Sequence, residues 1–425
     1  MPRVAWVGRL VSVLLSVLLA LGLGELLFRV FWLKQLTIRA GIEHPHFHHR
    51  LKPYETYAFT SGEFNASTRT NRFGLRGPDP AIPKPPGIIR ILMVGDSFTF
   101  GFPVQDEETF CALIEQGLRA QGYPVEVING GVSGAAPTLH YIALRDQFLD
   151  FEPDLVILWY DLGDLQEDHW FQKNLLYDEA GRIVRCDPYY IHGRFSVWEW
   201  LKHWSALAKY MDAKVLRTIE RLRILGFGGY LKVKLRGERA KVAIARLKRE
   251  QQAADLADYD RFLLLRESST EEVIAPYWAL SRRYLVMIRD LVAERGIPFM
   301  LGIYPYGMLV GPDQWAEGRV FWGFERGKTY DAHPALAIFE RFSRDERVPL
   351  INTFGRFREA ASGQKLFYDQ DGHMTPAGQR LIAETVLSDP RVLTILRAKT
   401  AAMTEGRGDP TVSRTRRVVG AGDHG

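Results

Sequence analysis

The sequence predicts an α/β protein in three layers, with a parallel sheet covered by helices on both faces. Three observations predict it. Short apolar, β-branched runs recur at Ile89–Val94, Val125–Asn129, Leu155–Trp159, Pro298–Tyr304 and Val348–Asn352. Helical patterns separate these runs, which is the arrangement of strand–helix–strand units. The first run also breaks at Gly95-Asp96-Ser97 directly into a helix-like segment containing Phe110, Leu113, Ile114 and Leu118. Such a turn lies at the carboxyl end of a strand, where open α/β sheets hold their ligands.

With 425 residues, 46% of them hydrophobic, the chain can bury a large core in one big domain or two modest ones. The net charge of +5 is spread along the whole length, without basic–aromatic repeats, and gives no sign of a nucleic-acid partner. Cys111 and Cys186 are too few for a disulfide framework or a cysteine-based zinc site. Cys111 falls on the apolar face of a helix, which favours a buried free thiol over a bridge.

Leu10–Leu23 is almost unbroken apolar sequence, continued by Leu26, Leu27, Phe28, Val30, Phe31 and Leu33. Allowing for Glu25 and Arg29, it reaches the ~20 residues a spanning helix requires. Residues 1–34 are therefore expected to be a single-pass transmembrane anchor, with the rest at the cell membrane on the extracytoplasmic (periplasmic) side. Ala20-Leu21-Gly22 also fits a signal-peptide cleavage site, but the apolar character continues past it and favours the uncleaved anchor.

Residues 35–87 read as a juxtamembrane lead-in. The run His44-Pro45-His46-Phe47-His48-His49 has no carboxylate or cysteine ligand close in sequence, so it reads as a polar linker rather than a metal site. Pro78–Gly87 is proline-rich and leads into the domain. The α/β domain is expected over residues 88–398, with a mostly helical insertion at about 169–270, between the third and fourth strands. That insertion holds a hairpin around Tyr177–Ile183, a helical region with Trp198, Trp200 and Trp204, and the basic stretch Lys232–Arg249. The basic stretch reads as a solvated helix face; contact with an anionic membrane or polymer is its alternative. Ser269-Thr270-Glu271-Glu272 fits a capping box for a helix running to Arg295. Pro376–Leu387 reads as a terminal helix, and the polar, glycine-rich residues 399–425 are expected to be a disordered tail.

A serine at a strand-to-helix turn faces the cleft beside unpaired helix N–H groups, which favour developing negative charge. Ser97 is thus either a nucleophile or a helix cap. A serine nucleophile needs a base, and the base an orienting partner. Both residue types stand together in Tyr368-Asp369-Gln370-Asp371-Gly372-His373-Met374-Thr375-Pro376.

Gly95-Asp96-Ser97-Phe98 and the stretch ending in His373 resemble the first and last blocks of the SGNH/GDSL hydrolases, a family of esterases and acyltransferases. With Asn71–Gly77 ahead of it, the first block is similar to that of membrane-anchored bacterial members. The resemblance runs from about Asn71 to Leu387, with a poorly matched middle. It implies a flavodoxin-like domain in which Ser97 is the nucleophile, His373 the general base, and an aspartate just upstream the orienter. The usual spacing places Gln370 at the orienting position; Asp371 is the expected orienter and Asp369 the alternate. The resemblance also implies an oxyanion hole from the Ser97 N–H, Gly134 and the third block, Asp161-Leu162-Gly163-Asp164. There Gly163 stands where the family's donor asparagine belongs, and an ionised Asp164 cannot donate. No metal or organic cofactor is implied.

The function implied is that of a membrane-anchored serine esterase acting on acyl esters of envelope carbohydrate or lipid. An O-acyltransferase acting on envelope polysaccharide is the alternative. A degenerate, non-catalytic polysaccharide-binding module is a further one, supported by Gly163.

Overall fold

The structure, a computed structural model, describes residues 2–31, 42–188, 262–265, 269–331 and 333–408, together with 205, 207, 208 and 211. The tryptophan-rich and basic parts of the expected insertion, and residues 409–425, lie outside the described residues. Two compact units divide the chain: residues 1–41 with 190–251, and residues 42–189 with 252–425.

In the first unit, α1 (Pro2–Phe31) covers the expected anchor. It exposes Val11, Val13, Leu15, Val17, Leu18 and Leu19. Even so, among the described residues no helix is long and apolar enough to cross a membrane, so the expected spanning anchor is not supported. The apolar run is interrupted by Glu25, whose carboxylate accepts hydrogen bonds from Ser205 Oγ at 2.7 Å and from the Leu207 amide at 3.0 Å. This part of the helix therefore makes polar contacts with protein.

The second unit opens with two antiparallel hairpins, β1 (Ile42–His44) with β2 (His48–Arg50) and β3 (Thr56–Thr60) with β4 (Asn65–Arg69). Alternation along β3 and β4 turns Tyr57, Phe59, Ala66 and Thr68 inward. Residues 42–87 of the expected juxtamembrane lead-in are thus structured protein within this unit, and its first residues, 35–41, lie outside the described residues. The buried Arg76 guanidinium ties the structured stretch to residues 100–106, donating to the carbonyls of Phe100 (3.2 Å), Gly101 (2.8 Å) and Val104 (2.5 Å) and pairing with Asp106 at 2.5 Å. The histidine run forms a hairpin in place of a linker, with His46 set 2.5 Å from Asp146. Among the described residues no group of three or more His, Cys, Asp or Glu side chains is placed to hold a metal ion.

The elements that build the rest of this unit include β5 (Ile89–Gly95), α2 (Ser97–Phe100), α3 (Phe110–Ala120), β6 (Val125–Gly131), α4 (Pro137–Asp146), β7 (Leu155–Tyr160) and α5 (Asp164–Phe171). They continue with β8 (Leu175–Tyr177), β9 (Ile183–Cys186), α6 (Glu271–Ala293), β10 (Phe299–Ile303), α7 (His333–Glu346), β11 (Leu350–Asn352), α8 (Pro376–Leu387) and α9 (Pro390–Gly408). The hairpin expected near Tyr177 is β8 with β9, and α9 carries helix past residue 399, where a disordered tail was expected.

Five parallel strands form the sheet in the order β6-β5-β7-β10-β11. Numbered along the chain this is 2-1-3-4-5, the flavodoxin-like order. Every residue of β5 and β7 is buried, as befits strands covered on both faces, and the one charged residue among them, Arg90 in β5, is paired with Glu126. The chain crosses the sheet one way from β5 to β6 and the other way from β6 to β7, so right-handed crossovers place α3 and α4 on opposite faces. On the first face α8 packs on α3, and α9 on α8 and β5; on the second, α6 packs on α4 and α5. Cys111 and Cys186 are buried free thiols; burial raises the Cys186 thiol to about 12 and keeps it protonated.

Gly131 backs the turn after β5. A Cβ there would overlap the Phe100 amide nitrogen and Cα, main-chain atoms of α2 that cannot yield without displacing Ser97. Gly131→Ala is expected to cost about 1–3 kcal/mol, the usual range for overpacking. Thermal unfolding of the variant checks this, and an unchanged Tm would contradict the packing.

Candidate active site

The turn after β5 is built by its neighbours. Gly95 has no room for a side chain, since a Cβ would press on the Thr99 hydroxyl and the Trp159 carbonyl. Asp96 caps α2, accepting the Phe98 amide at 2.9 Å, and the Tyr304 hydroxyl beyond β10 bonds the same carboxylate oxygen. Gly101 closes this single helical turn in the left-handed region, at φ 81°. Ser97 is thereby presented at the carboxyl edge of the sheet, beside the switch point between β5 and β7.

His373 arrives from the other end of the chain on a tight loop. The Tyr368 amide donates to the His373 carbonyl at 2.9 Å, and the Gly372 amide to the Tyr368 carbonyl at 3.2 Å. Gly372 adopts φ 88°, and a Cβ there would strike the Trp315 indole, so only glycine fits between Asp371 and His373. Thr375 then caps α8.

The structure brings the expected nucleophile, base and orienter together. His373 Nε2 lies 2.8 Å from Ser97 Oγ, and His373 Nδ1 is hydrogen-bonded to Asp371 Oδ1. A carboxylate on Nδ1 keeps the proton there and leaves Nε2 bare to receive the serine proton. Asp369 is engaged elsewhere, accepting Lys365 Nζ at 2.8 Å and the Ala316 amide at 3.2 Å. The Asp-x-His spacing is therefore the one that makes the contact. Ser97 Oγ also has Asp96 Oδ2 within 3.3 Å, a longer alternative to the histidine. Sequence reasoning missed the rings that hold the imidazole: Phe98 and Phe102 pack against it with centroids 4.8 and 4.9 Å away.

The oxyanion side is only partly as expected. Gly134 follows β6 at φ 75°, in the turn closed by the Ala135 amide on the Val132 carbonyl. His49 Nε2 lies 2.8 Å from the Ser133 carbonyl oxygen. A carbonyl only accepts, so Nε2 carries the proton, and the bond orients the peptide unit whose other end is the Gly134 N–H. Gly163 departs from expectation. Its amide donates to Asp161 Oδ1 at 2.9 Å, and the Tyr306 hydroxyl bonds that same oxygen. The third position thus contributes no side-chain donor, and its N–H is committed to Asp161.

Buried carboxyls stand behind this edge. Burial, then the charges of Asp161 and Asp96, raise the Asp164 carboxyl well above the usual range. That favours its neutral, hydrogen-bond-donating form, where the sequence suggested an ionised group. Asp168 accepts the Thr138 amide (2.8 Å), the Thr138 hydroxyl (2.7 Å) and the Ser281 hydroxyl (2.6 Å), yet burial still raises it to about 6.

Comparison with known proteins finds no matching family model and no matching curated protein. The chain is similar to several solved structures. One is an acetyl xylan esterase, at 13% identity and a TM-score of 0.35, covering 71% of this chain and 98% of that one. Another is a lipase/acylhydrolase from Enterococcus faecalis, at 12% identity and a TM-score of 0.34, covering 70% and 93%. A lipolytic protein of the G-D-S-L family from Desulfitobacterium hafniense has 12% identity and a TM-score of 0.32, covering 70% and 97%.

Asp371→Asn is expected to lower any Ser97-dependent turnover by orders of magnitude with the fold intact, because the imidazole then adopts the wrong tautomer. Asp369→Asn should change turnover little; a reversed ranking in steady-state kinetics would assign the orienter to Asp369. Asp168 generates a pH prediction. Its carboxyl keeps the proton in the folded state at pH values where the unfolded chain has released it, so its contribution to stability is largest below about pH 4 and declines as pH rises through about 6. In urea unfolding, Asp168→Asn should remove a decline on the order of 3 kcal/mol across that window. Parallel pH profiles for the two proteins would contradict this. At its sheet edge, Gly95-Asp96-Ser97-Phe98 meets Asp371-Gly372-His373 in the arrangement expected from the resemblance to SGNH/GDSL hydrolases.

Proposed function

We propose that the chain is a serine esterase of the SGNH/GDSL type. The observation that carries this reading is the line of hydrogen bonds from Ser97 Oγ through His373 to Asp371, set at the carboxyl edge of a parallel sheet. Ser97 Oγ attacks the acyl carbon as His373 Nε2 takes its proton, and Asp371 stabilises the imidazolium that forms. The tetrahedral oxyanion faces the Ser97 and Gly134 N–H groups. On collapse the alcohol leaves with the proton from His373, and a water molecule, activated by the same base, releases the acid from the acyl-enzyme.

The substrate in this reading is a short acyl ester on envelope carbohydrate or lipid. The site of action is the periplasmic face of the cell membrane. The apolar side chains that α1 exposes support attachment to an apolar surface.

A fluorophosphonate probe should label Ser97 in the full chain, and Ser97→Ala should abolish both labelling and hydrolysis of aryl acetates. Absence of both in the parent protein would favour the non-catalytic binding module, while acyl transfer to a carbohydrate acceptor exceeding hydrolysis would make it a transferase. With one oxyanion donor missing, the enzyme should be slow, since losing such a donor typically costs ~10²–10³ in turnover. Gly163 has φ −83° and ψ −17°, a backbone that asparagine adopts freely. Gly163→Asn is therefore expected to raise turnover by a measurable part of that factor at unchanged Tm. Lower turnover at unchanged Tm would show that the added side chain blocks the site.

A further inference from the structure

The loop carrying Asp371 and His373 is held from a part of the chain outside the triad. Glu63 sits in the turn between β3 and β4, where the Ser61 amide donates to the Phe64 carbonyl at 2.9 Å and the Glu63 amide to Ser61 Oγ at 3.0 Å. From this closed turn its carboxylate reaches two consecutive amides of the loop. The Gln370 amide lies 2.9 and 3.0 Å from the two oxygens, and the Asp371 amide 3.1 Å from one of them. Rings reinforce the contact. Phe64 meets Tyr368 at 5.2 Å and Phe102 at 5.8 Å, Phe59 meets Phe102 at 4.9 Å, and Phe102 packs on His373. One hairpin therefore touches the loop through a charge and backs the imidazole through aromatic side chains.

We propose that Glu63 is a positioning residue for chemistry at Ser97: by accepting from the Gln370 and Asp371 amides it sets the backbone that aims the Asp371 carboxylate at His373 Nδ1. This rests on the serine-esterase reading. Glu63 touches neither Ser97 nor the imidazole, so its action runs through Asp371. Its removal should leave the loop closed, because the Tyr368–His373 and Gly372–Tyr368 backbone bonds and the Asp369 contacts remain. What is freed is the Gln370–Asp371 peptide. A carboxylate on main-chain amides makes short, charge-assisted hydrogen bonds that no apolar side chain replaces. Glutamine keeps an acceptor oxygen at the same reach and alanine keeps none.

The test uses the full chain with aryl acetate as the probe ester. Glu63→Ala should lower kcat by roughly 10- to 100-fold, the scale of effect that ångström-level misplacement of a reacting group produces. KM and Tm should be nearly unchanged, and Glu63→Gln should restore most of the loss. Independently of turnover, the low-field proton resonance of His373 Nδ1–H in the parent protein should broaden or shift in Glu63→Ala and return in Glu63→Gln. Parent-like kcat in Glu63→Ala would overturn the proposal, as would a fall in kcat matched by a fall in Tm that glutamine does not rescue. If the parent protein shows no Ser97-dependent turnover, the esterase reading fails by itself. The resonance then decides the proposal, and an unchanged signal in Glu63→Ala overturns it.

Discussion

The site depends on one constraint, the abrupt change from strand to helix at Gly95-Asp96-Ser97. Gly95 leaves no space for a side chain, Gly131 lies against the main chain of α2, and Asp96 is held by both the Phe98 amide and Tyr304. Each of these serves to point Ser97 out of the sheet edge at a fixed angle. The cap that does so is a carboxylate with no exposed surface, and its charge is felt at Asp164. The edge behind the serine is consequently an acidic layer in which one proton is more favourably kept than released.

That layer accounts for the behaviour of the third strand's end. Asp161 is bonded by the Tyr306 hydroxyl and draws the Gly163 amide to itself, so the peptide after β7 is organised towards the interior. The second strand's end is organised the other way. There the Ser133 carbonyl faces the His49 imidazole, and the amide of the same peptide belongs to Gly134. Charge stabilisation at this edge rests on main-chain groups whose orientation is set by side chains from other elements.

Much of the sheet was legible in the sequence, because strands buried on both faces read as apolar runs; β7 is such a strand throughout, and β5 is one from Ile91 to Val94. The pairing of Ser97 with Asp371 and His373 was legible through two short motifs. The hairpins over residues 42–69 were not, although Thr56-Tyr57-Ala58-Phe59-Thr60 alternates with the period of a strand. The histidine run before it and the prolines after it drew the whole stretch into the reading of a linker. Glu63 was illegible for a different reason. A lone acidic residue in a polar turn carries no local signal, and its partners are main-chain amides, which leave no mark in a sequence. The engagement of Gly163 with Asp161 was hidden in the same way.

The geometry of the loop bears on how the protein is made. Ser97 and His373 are 276 positions apart, and Glu63 and Gln370 are 307 apart. A growing chain therefore carries its serine, and the hairpin that will brace the base, long before the base itself is made. Contacts of such long range form late and slowly, because the intervening chain must be ordered before they can repay its closure. A partly synthesised or partly folded molecule holds an ordinary alcohol at position 97, so reactivity appears only when the chain has closed on itself.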